Sequence, residues 1–330
     1  MKEYFLIIAF FCFINFLIIL FSNKLILFFN LYDHPNSIRK FHKNKTSLLG
    51  GSIILINILF FYLIDIIFNF YSFNNFNLTQ LIFGAIFFYS LGLMDDKYDI
   101  NANLKFILEI LISILIINFD EDIMIKKIYF SIFDYSINLG NYSYLFTVFC
   151  IVIFVNALNM YDGVNLQSGS YTLILIISLY SYFENPLLLI ILAISLLSFL
   201  FLNFKSKIFL GDNGAYLLGF IISYIVIKSA QNLDYLYLTA DKILLLMIIP
   251  GLELIRLFLL RLIKKKHPFS ADRDHIHHIL LKNFSQNKTI LILILLSLFP
   301  AITIIIAYQK IYIMLLVYII VYFWIIKKYG

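Results

Sequence analysis

The chain has 330 residues, of which 62% are hydrophobic and only 13% are charged, and its formal net charge is +6. A soluble domain carries roughly 25% charged residues, so this composition excludes an ordinary soluble protein. Apolar runs of about 20 residues, long enough to cross a hydrocarbon core, recur along the whole sequence. We therefore predict an all-α polytopic membrane protein, organised as a single transmembrane domain over residues 1–330.

The apolar runs predict a bundle of about eleven transmembrane helices. Their approximate bounds are 4–22, 48–71, 79–94, 103–119, 143–160, 170–184, 186–203, 211–230, 241–262, 289–307 and 311–327. The first run is interpreted as a span and not as a removed signal peptide, because no small-residue cleavage site follows it. Cys12 and Cys150 lie inside apolar runs without C-x-x-C spacing, which favours two buried free thiols.

Basic residues are concentrated in the connections that follow the odd-numbered spans and in the C-terminal tail. The positive-inside rule therefore puts these connections and the C-terminus in the cytoplasm, with the N-terminus outside. Orientation explains the positive charge better than nucleic acid does, so no nucleic-acid partner is predicted. We expect a multi-pass protein of the cell inner or plasma membrane. The alternation in “KKIYFSIFDYSINLG” (126–140) predicts a small extracytoplasmic β-hairpin.

Five polar stretches interrupt the apolar runs, and the predicted topology puts all of them on the cytoplasmic side. They are “DHPNSIRKFHKNKTSLLGG” (33–51), “DDKYDI” (95–100), “NALNMYDGVN” (156–165), “FLGDNGAYLLG” (209–219) and “HPFSADRDHIHH” (267–278). Each has an ordinary explanation, because basic clusters enforce topology and paired acids can mark the water boundary. Taken alone, D-D-x-x-D or H-x-H-H is weak evidence for a site.

The convergence of these stretches on one face is more specific. Asn156, Asn159 and Asp162 recur every three residues, which puts them on one helix face. The “GDNG” stretch puts Asp212 between glycines at a helix start, where backbone can approach a ligand closely. Carboxylates can hold Mg²⁺ while Arg and His neutralise phosphate oxygens, so this face suits a metal-bound, multiply anionic substrate. Zinc is less suited, since no Cys or clear fourth ligand is present.

In this order, D-D-x-x-D, N-x-x-N-x-x-D-G, G-D-x-G and D-R-x-H-x-H-H resemble the motifs of the polyprenyl-phosphate N-acetylhexosamine-1-phosphate transferases, glycosyltransferase family 4. The resemblance covers essentially the whole chain. It implies transfer of a sugar-1-phosphate, first of all GlcNAc-1-phosphate, from a UDP-sugar to undecaprenyl phosphate, with release of UMP. The product would start synthesis of a cell-envelope polysaccharide. The resemblance also implies Mg²⁺ as cofactor, with Mn²⁺ as an alternative. The active site would face the cytoplasm beside the membrane lipids. A homodimer is left open.

The resemblance assigns roles to individual positions. Asp212 and Asn159 match metal-binding positions, while Asp95 and Asp96 match paired catalytic acids near the lipid phosphate, and Asp162 lines the same cavity. Direct attack by the lipid phosphate is favoured over a covalent phospho-enzyme on an Asp, because that phosphate is already an anionic nucleophile. Substrate-binding positions are implied for Lys105, Asn156, Arg273, His275, His277, His278, Arg39, Lys40 and His42.

Several positions depart from the family pattern, but none of them is a metal or phosphate position. Glu109, Asn165 and Ala215 stand where Gln, Asp and Ser are common, and Ser47 lies near a common Pro. An active enzyme is therefore expected, with its donor open to another UDP-N-acetylhexosamine, a 6-deoxy sugar or MurNAc-pentapeptide. A polytopic membrane transporter is the alternative of another class. It would place polar residues near the membrane midplane, often in inverted repeats, and neither feature is found in the sequence.

Overall fold

The computed structural model describes residues 2–33, 45–68, 78–131, 135–183, 185–231, 238–266, 273–306 and 310–330. The protein is predominantly helical. Its helices are α1 (Lys2–Leu20), α2 (Ser22–Phe29), α3 (Gly50–Phe68), α4 (Leu78–Tyr98), α5 (Ala102–Phe119), α6 (Ser143–Tyr161), α7 (Gln167–Leu179), α8 (Leu187–Phe204), α9 (Gly211–Gln231), α10 (Ala240–Leu246), α11 (Ile248–Ile263), α12 (Ile276–Asn283), α13 (Gln286–Ile306) and α14 (Ile311–Tyr329). Its strands are β1 (Tyr32–Asp33), β2 (Thr46–Ser47), β3 (Lys127–Phe130) and β4 (Tyr135–Asn138).

Within these ranges, nine helices are long and apolar enough to cross a membrane: α1, α3, α4, α5, α6, α8, α9, α13 and α14. The pair α10–α11 is long and apolar enough as one unit but is bent by 75°, so the described ranges contain nine or ten candidate spans. Helix α7 has only 13 residues, fewer than the about 20 that a span requires. The run 170–184 is therefore not among the candidate spans. The chain is a multi-pass α-helical membrane protein.

The short helix α7 and the bend of α10–α11 are connected by a hydrogen bond. The Tyr171 hydroxyl on α7 donates to the Leu246 carbonyl, at the point where α10 ends, over 3.0 Å. A backbone carbonyl released by a broken helix must find a partner inside the protein, because lipid offers none. This contact explains how an irregular backbone is tolerated at the bend.

Helix α9 is enclosed by other helices and lies at the centre of the bundle. Every side chain from Asn213 to Ser229 is buried. Close approach depends on small residues, because a Cβ at Gly219 would stand 2.7 Å from the Val155 Cα of α6. On another side, Phe220 stacks on Phe88 of α4 at a centroid distance of 5.0 Å. The helix that carries “GDNG” is therefore held by α4 and α6, which carry two other motifs.

Helices α4 and α6 finish, and α5 and α9 begin, at one end of the bundle, which we call the motif end. Strands β1 and β2 are antiparallel and join this end, since the Phe209 N–H donates to the Ser47 carbonyl over 2.7 Å. Strands β3 and β4 pair antiparallel between α5 and α6, with Lys127 opposite Asn138. The side of the membrane on which each end lies stays a prediction from charge.

Candidate active site

The start of α9 is built around the Asp96 carboxylate at the end of α4. One oxygen accepts the Asp212 N–H at 3.0 Å, and the other accepts the Asn213 N–H at 3.0 Å and its Nδ2 at 2.6 Å. A carboxylate is favourable there because the first N–H groups of a helix have no partner within the helix. Gly211 supplies the left-handed turn (φ +75°), and Gly92 lets the two backbones touch. Asp96 therefore fixes the position of Asp212.

Asp95 lies beside this cap and is buried. Its carboxylate forms an ion pair with Lys105 of α5 and accepts the Ile100 N–H at 3.0 Å. The carboxyl groups of Asp95 and Asp212 are within hydrogen-bonding reach of each other. Two carboxyl groups this close cannot both be ionised without a cation or a shared proton between them. The motif end thus has an excess of acid that suits a bound cation.

A second buried cluster extends the site toward the interior of the bundle. Glu109, one turn after Lys105 on α5, accepts hydrogen bonds from the Asn156 amide and the Tyr216 hydroxyl. Asn156 also donates to the Val152 carbonyl at 2.9 Å, which fixes its amide. In the sequence, Glu109 differs from the family pattern, and no role in the site was predicted for it. Its position inside an apolar run was the signal that could have identified it, since an ionisable residue within a span is by default functional.

Asp162 directly follows the last residue of α6 and lies near Asp96. Its carboxylate accepts the Ser168 hydroxyl, and its N–H donates to the Asn159 carbonyl at 3.2 Å. Burial raises the pKa of Asp162 to about 6; the Ser168 hydrogen bond opposes this shift, and the nearby negative charge of Asp96 adds to it. The half-buried Asn159 lies between Asn156 and Asp162 on the same helix.

Three histidines at the start of α12, His275, His277 and His278, form one cluster. The His277 ring lies 4.3 Å from the His278 ring and 5.2 Å from the His275 ring, centroid to centroid. His277 packs over Gly163, directly after Asp162. Burial, with the two neighbouring imidazoles, holds the pKa of His277 well below its usual range, so this ring is neutral near pH 7. The cluster therefore contacts the α6 motif through an uncharged ring.

The structure describes only some of the other residues that were predicted to bind substrate. Arg273 is exposed where the described chain resumes before α12. Arg39, Lys40 and His42 lie outside the described residues. The structure therefore brings together Asp95, Asp96, Lys105 and Asp212, with Asn156 and Asp162 beside them and His277 against Gly163. It adds Glu109, Tyr216 and Ser168, for which the sequence predicted no role in the site.

In the part of the chain that the structure describes, no group of three or more His, Cys, Asp or Glu side chains is arranged to hold a metal ion. Mg²⁺ is commonly bound by only one or two carboxylates, with water and substrate phosphates completing its coordination. Asp212 and Asn159, which the resemblance assigns to the metal, have side-chain oxygens that could serve as ligands of this kind. The close Asp95–Asp212 carboxyl pair also favours a cation there.

Comparison with known proteins gives a match to the family model described as glycosyl transferase family 4, over residues 78–230. The matched region runs from α4 to α9. It contains both clusters of the motif end described above, and it ends before the histidine cluster.

Curated relatives match a larger part of the chain. The probable undecaprenyl-phosphate N-acetylglucosaminyl 1-phosphate transferase of Bacillus subtilis (strain 168) is 31% identical over 278 residues, which cover 80% of this chain and 74% of that protein. The undecaprenyl-phosphate alpha-N-acetylglucosaminyl 1-phosphate transferase of Escherichia coli (strain K12) is 26% identical over 293 residues, covering 85% and 77%. The protein of that name from Yersinia pestis is 26% identical over 287 residues, covering 84% and 76%.

Proposed function

This chain belongs to glycosyl transferase family 4 and is a transferase enzyme, and from this premise we propose that it transfers N-acetylglucosamine-1-phosphate from UDP-N-acetylglucosamine to undecaprenyl phosphate. The names of the relatives support this acceptor and this sugar. We further propose that residues 1–330 act as one transmembrane domain in the cell inner or plasma membrane. The motif end would then face the cytoplasm, where UDP-sugars are found, and the product would start a cell-envelope polysaccharide.

The observation that carries the proposal is the contact of Asp95, Lys105 and Asp212 at one end of the bundle. Acids and a base from three helices meet where α4 ends and α5 and α9 begin. Such a site can hold a nucleotide diphosphate and a lipid phosphate side by side, because it offers both oxygen ligands for a cation and an ammonium group for phosphate oxygens.

The proposed reaction is a displacement at phosphorus. An oxygen of the lipid phosphate forms a bond to the sugar-bearing phosphorus of the UDP-sugar, and the bond from that phosphorus to the bridging oxygen breaks. UMP leaves with the electron pair, and a diphosphate-linked lipid remains. Lys105, which its ion pair with Asp95 holds in place, neutralises phosphate oxygens. The histidine cluster and Arg273 contact the phosphates of the donor.

The paired acids receive different roles in this proposal. Both oxygens of Asp96 already accept hydrogen bonds from the start of α9, so we assign it the positioning of Asp212. Asp95 remains the acid near the lipid phosphate. Asp212 and Asn159 would hold Mg²⁺, or Mn²⁺ in its place. When bound, the cation supplies charge neutralisation to the diphosphate of the donor.

The test uses the purified full-length protein with polyprenyl phosphate, Mg²⁺ and a panel of UDP-sugars, with both released UMP and lipid product measured. We expect the highest kcat/KM with UDP-N-acetylglucosamine, no turnover in EDTA, and recovery on adding Mg²⁺. Asp212→Ala should lose turnover while remaining folded. Asp122→Ala removes an exposed carboxylate outside the site and should retain it.

The outcomes separate the parts of the proposal. Preference for another UDP-N-acetylhexosamine would overturn the donor but keep the reaction. Product formation without UMP would overturn the reaction. Full Mg²⁺-dependent activity in Asp212→Ala would overturn the metal assignment.

A further inference from the structure

Helix α12, which carries His277 and His278, is capped by a residue of another helix. Its N-cap residue, His275, makes no side-chain capping hydrogen bond. Instead, the Glu253 carboxylate of α11 accepts the Ile276 N–H at 2.7 Å. Glu253 is only 1% exposed, so this is a buried acid directed at the first N–H of the histidine helix.

Glu253 is held by two further side chains. The Arg256 guanidinium donates to both Glu253 oxygens, at 3.0 and 2.9 Å, and the Tyr322 hydroxyl of α14 donates to one of them. Arg256 Nε also donates to the Tyr322 oxygen at 2.7 Å, and Arg256 Nη2 donates to the Asp274 carbonyl at 2.6 Å. We call these three residues, Glu253, Arg256 and Tyr322, the anchor. The anchor forms hydrogen bonds with the backbone of Asp274 and Ile276.

The anchor does more than pack α11 against α14. A buried ion pair contributes little net stability, and apolar residues of similar volume often do as well. Here, however, the polar groups are directed at the backbone just before the histidine helix. The residue after Ile276 is His277, whose ring packs over Gly163, where a Cβ would stand 2.0 Å from the ring. Movement of the anchored segment would therefore displace the histidines relative to Asp162.

We propose that Glu253, Arg256 and Tyr322 are positioning residues that hold the histidine helix in place to bind the donor phosphates. This inference rests on the proposed function for the identity of the donor. None of the three residues carries a motif position or touches the carboxylates of the motif end. They act through the backbone of the segment that contains the histidines, and Glu253 Oε1 also lies 3.7 Å from His275 Nδ1.

The test is Tyr322→Phe, which removes one hydroxyl from the anchor. Its matched control is Tyr318→Phe on the same helix, which removes a hydroxyl that pairs with Thr303 of α13 at 3.0 Å. Loss of one hydrogen bond in the anchor should raise the KM for the UDP-sugar roughly threefold to tenfold. The kcat and the KM for the lipid acceptor should change less than twofold, because the loss is of uniform donor binding.

A second variant and a second measurement complete the test. Glu253→Gln keeps an oxygen for the Ile276 N–H but removes the charge that Arg256 pairs with, so it should raise the donor KM further than Tyr322→Phe does. Hydrogen exchange followed by mass spectrometry should show faster exchange in 274–280 for both variants and no change for Tyr318→Phe. This measurement requires no substrate.

The results that would overturn the inference differ from those that would overturn the proposed function. Unchanged exchange in 274–280, or a loss of active protein at constant donor KM, would overturn the anchor. Equal rises in the donor and acceptor KM values would do so as well. If the wild-type protein released no UMP, the proposed function would fail, while hydrogen exchange would still decide whether the anchor holds the histidine helix.

Discussion

Gly163 lies directly against the imidazole ring of His277, so that a Cβ at Gly163 would stand 2.0 Å from the ring carbon Cε1 and 2.3 Å from each ring nitrogen. The two residues belong to motifs that are far apart in the chain. Their contact closes the site between the end of α6 and the histidine helix α12. A side chain at residue 163 would have to push this buried ring away.

Gly163→Ala should therefore abolish turnover or reduce kcat/KM at least about a hundredfold, since small displacements of catalytic groups have costs of this size. Gly251→Ala is the matched control, because a Cβ at Gly251 in α11 meets no atom within 4 Å. Its kcat/KM should equal that of the wild type. Normal activity in Gly163→Ala would mean that His277 does not need its observed position.

Asp96→Asn tests whether Asp96 positions Asp212. An amide keeps one acceptor oxygen for the N–H groups of Asp212 and Asn213, where the carboxylate has two. We expect a loss of about 1–3 kcal/mol in the free energy of unfolding, because a buried donor loses its partner, together with a lower kcat.

The measurements are thermal unfolding in detergent and the pH profile of kcat. If Asp96 positions Asp212, kcat falls without any change in the apparent pKa values of the profile. Loss of the acidic limb in Asp96→Asn would instead identify Asp96 as the catalytic base. Asp122→Asn, at an exposed carboxylate, should change neither quantity.

The sequence predicted most of the spans well, because an apolar run of about 20 residues has few structures other than a membrane helix. It did not predict that α10 and α11 would bend at 75°. The bend depends on a neighbour, because the Leu246 carbonyl at the break accepts the hydroxyl of Tyr171 on α7. Hydropathy along one segment contains no information about such partners.

In the candidate site, too, some residues could be predicted from the sequence and others could not. Lys105 and the acids at the motif end fall in or beside recognisable motifs, so their grouping could be expected. The anchor could not, because Tyr322 is 69 residues from Glu253 and has no motif around it. The only local signal was a buried Glu and Arg three residues apart in an apolar run. Such a pair is a functional hypothesis, but its target cannot be inferred without the fold.

The pKa of Asp162, raised from 3.8 to about 6, makes stability depend on pH. The folded protein keeps this proton to a higher pH than the unfolded chain does. The free energy of unfolding that Asp162 contributes therefore falls as the pH rises from about 4 to about 6, and is constant above that range. Asp162→Asn removes this dependence, so its Tm relative to the wild type should rise across the same interval.

Ser168→Ala provides the complementary measurement. The Ser168 hydroxyl stabilises the charged form of Asp162, so its removal should lower the Tm more at pH 7 than at pH 4. Thermal unfolding in detergent with EDTA present keeps cation binding out of the comparison. If the difference in Tm from the wild type is independent of pH in both variants, Asp162 titrates at its ordinary pKa.

The opposite end of α9 provides a test of how far the site depends on distant packing. Asp120, at the end of α5, accepts a hydrogen bond from Lys228 Nζ at 3.0 Å and another from the Tyr224 hydroxyl. Both charged side chains are buried. Asp120→Asn leaves the Lys228 ammonium without its carboxylate and should lower the free energy of unfolding by about 3–5 kcal/mol.

The double variant Asp120→Asn/Lys228→Met should recover most of this loss, because it removes the uncompensated charge as well. In both variants, the protein that remains folded should keep the wild-type KM for the donor, since the pair lies at the other end of α9 from Asp212. Thermal unfolding and steady-state kinetics on the same preparations check this. A raised donor KM in Asp120→Asn would show that α9 transmits displacement along its length, so that the position of Asp212 depends on both of its ends.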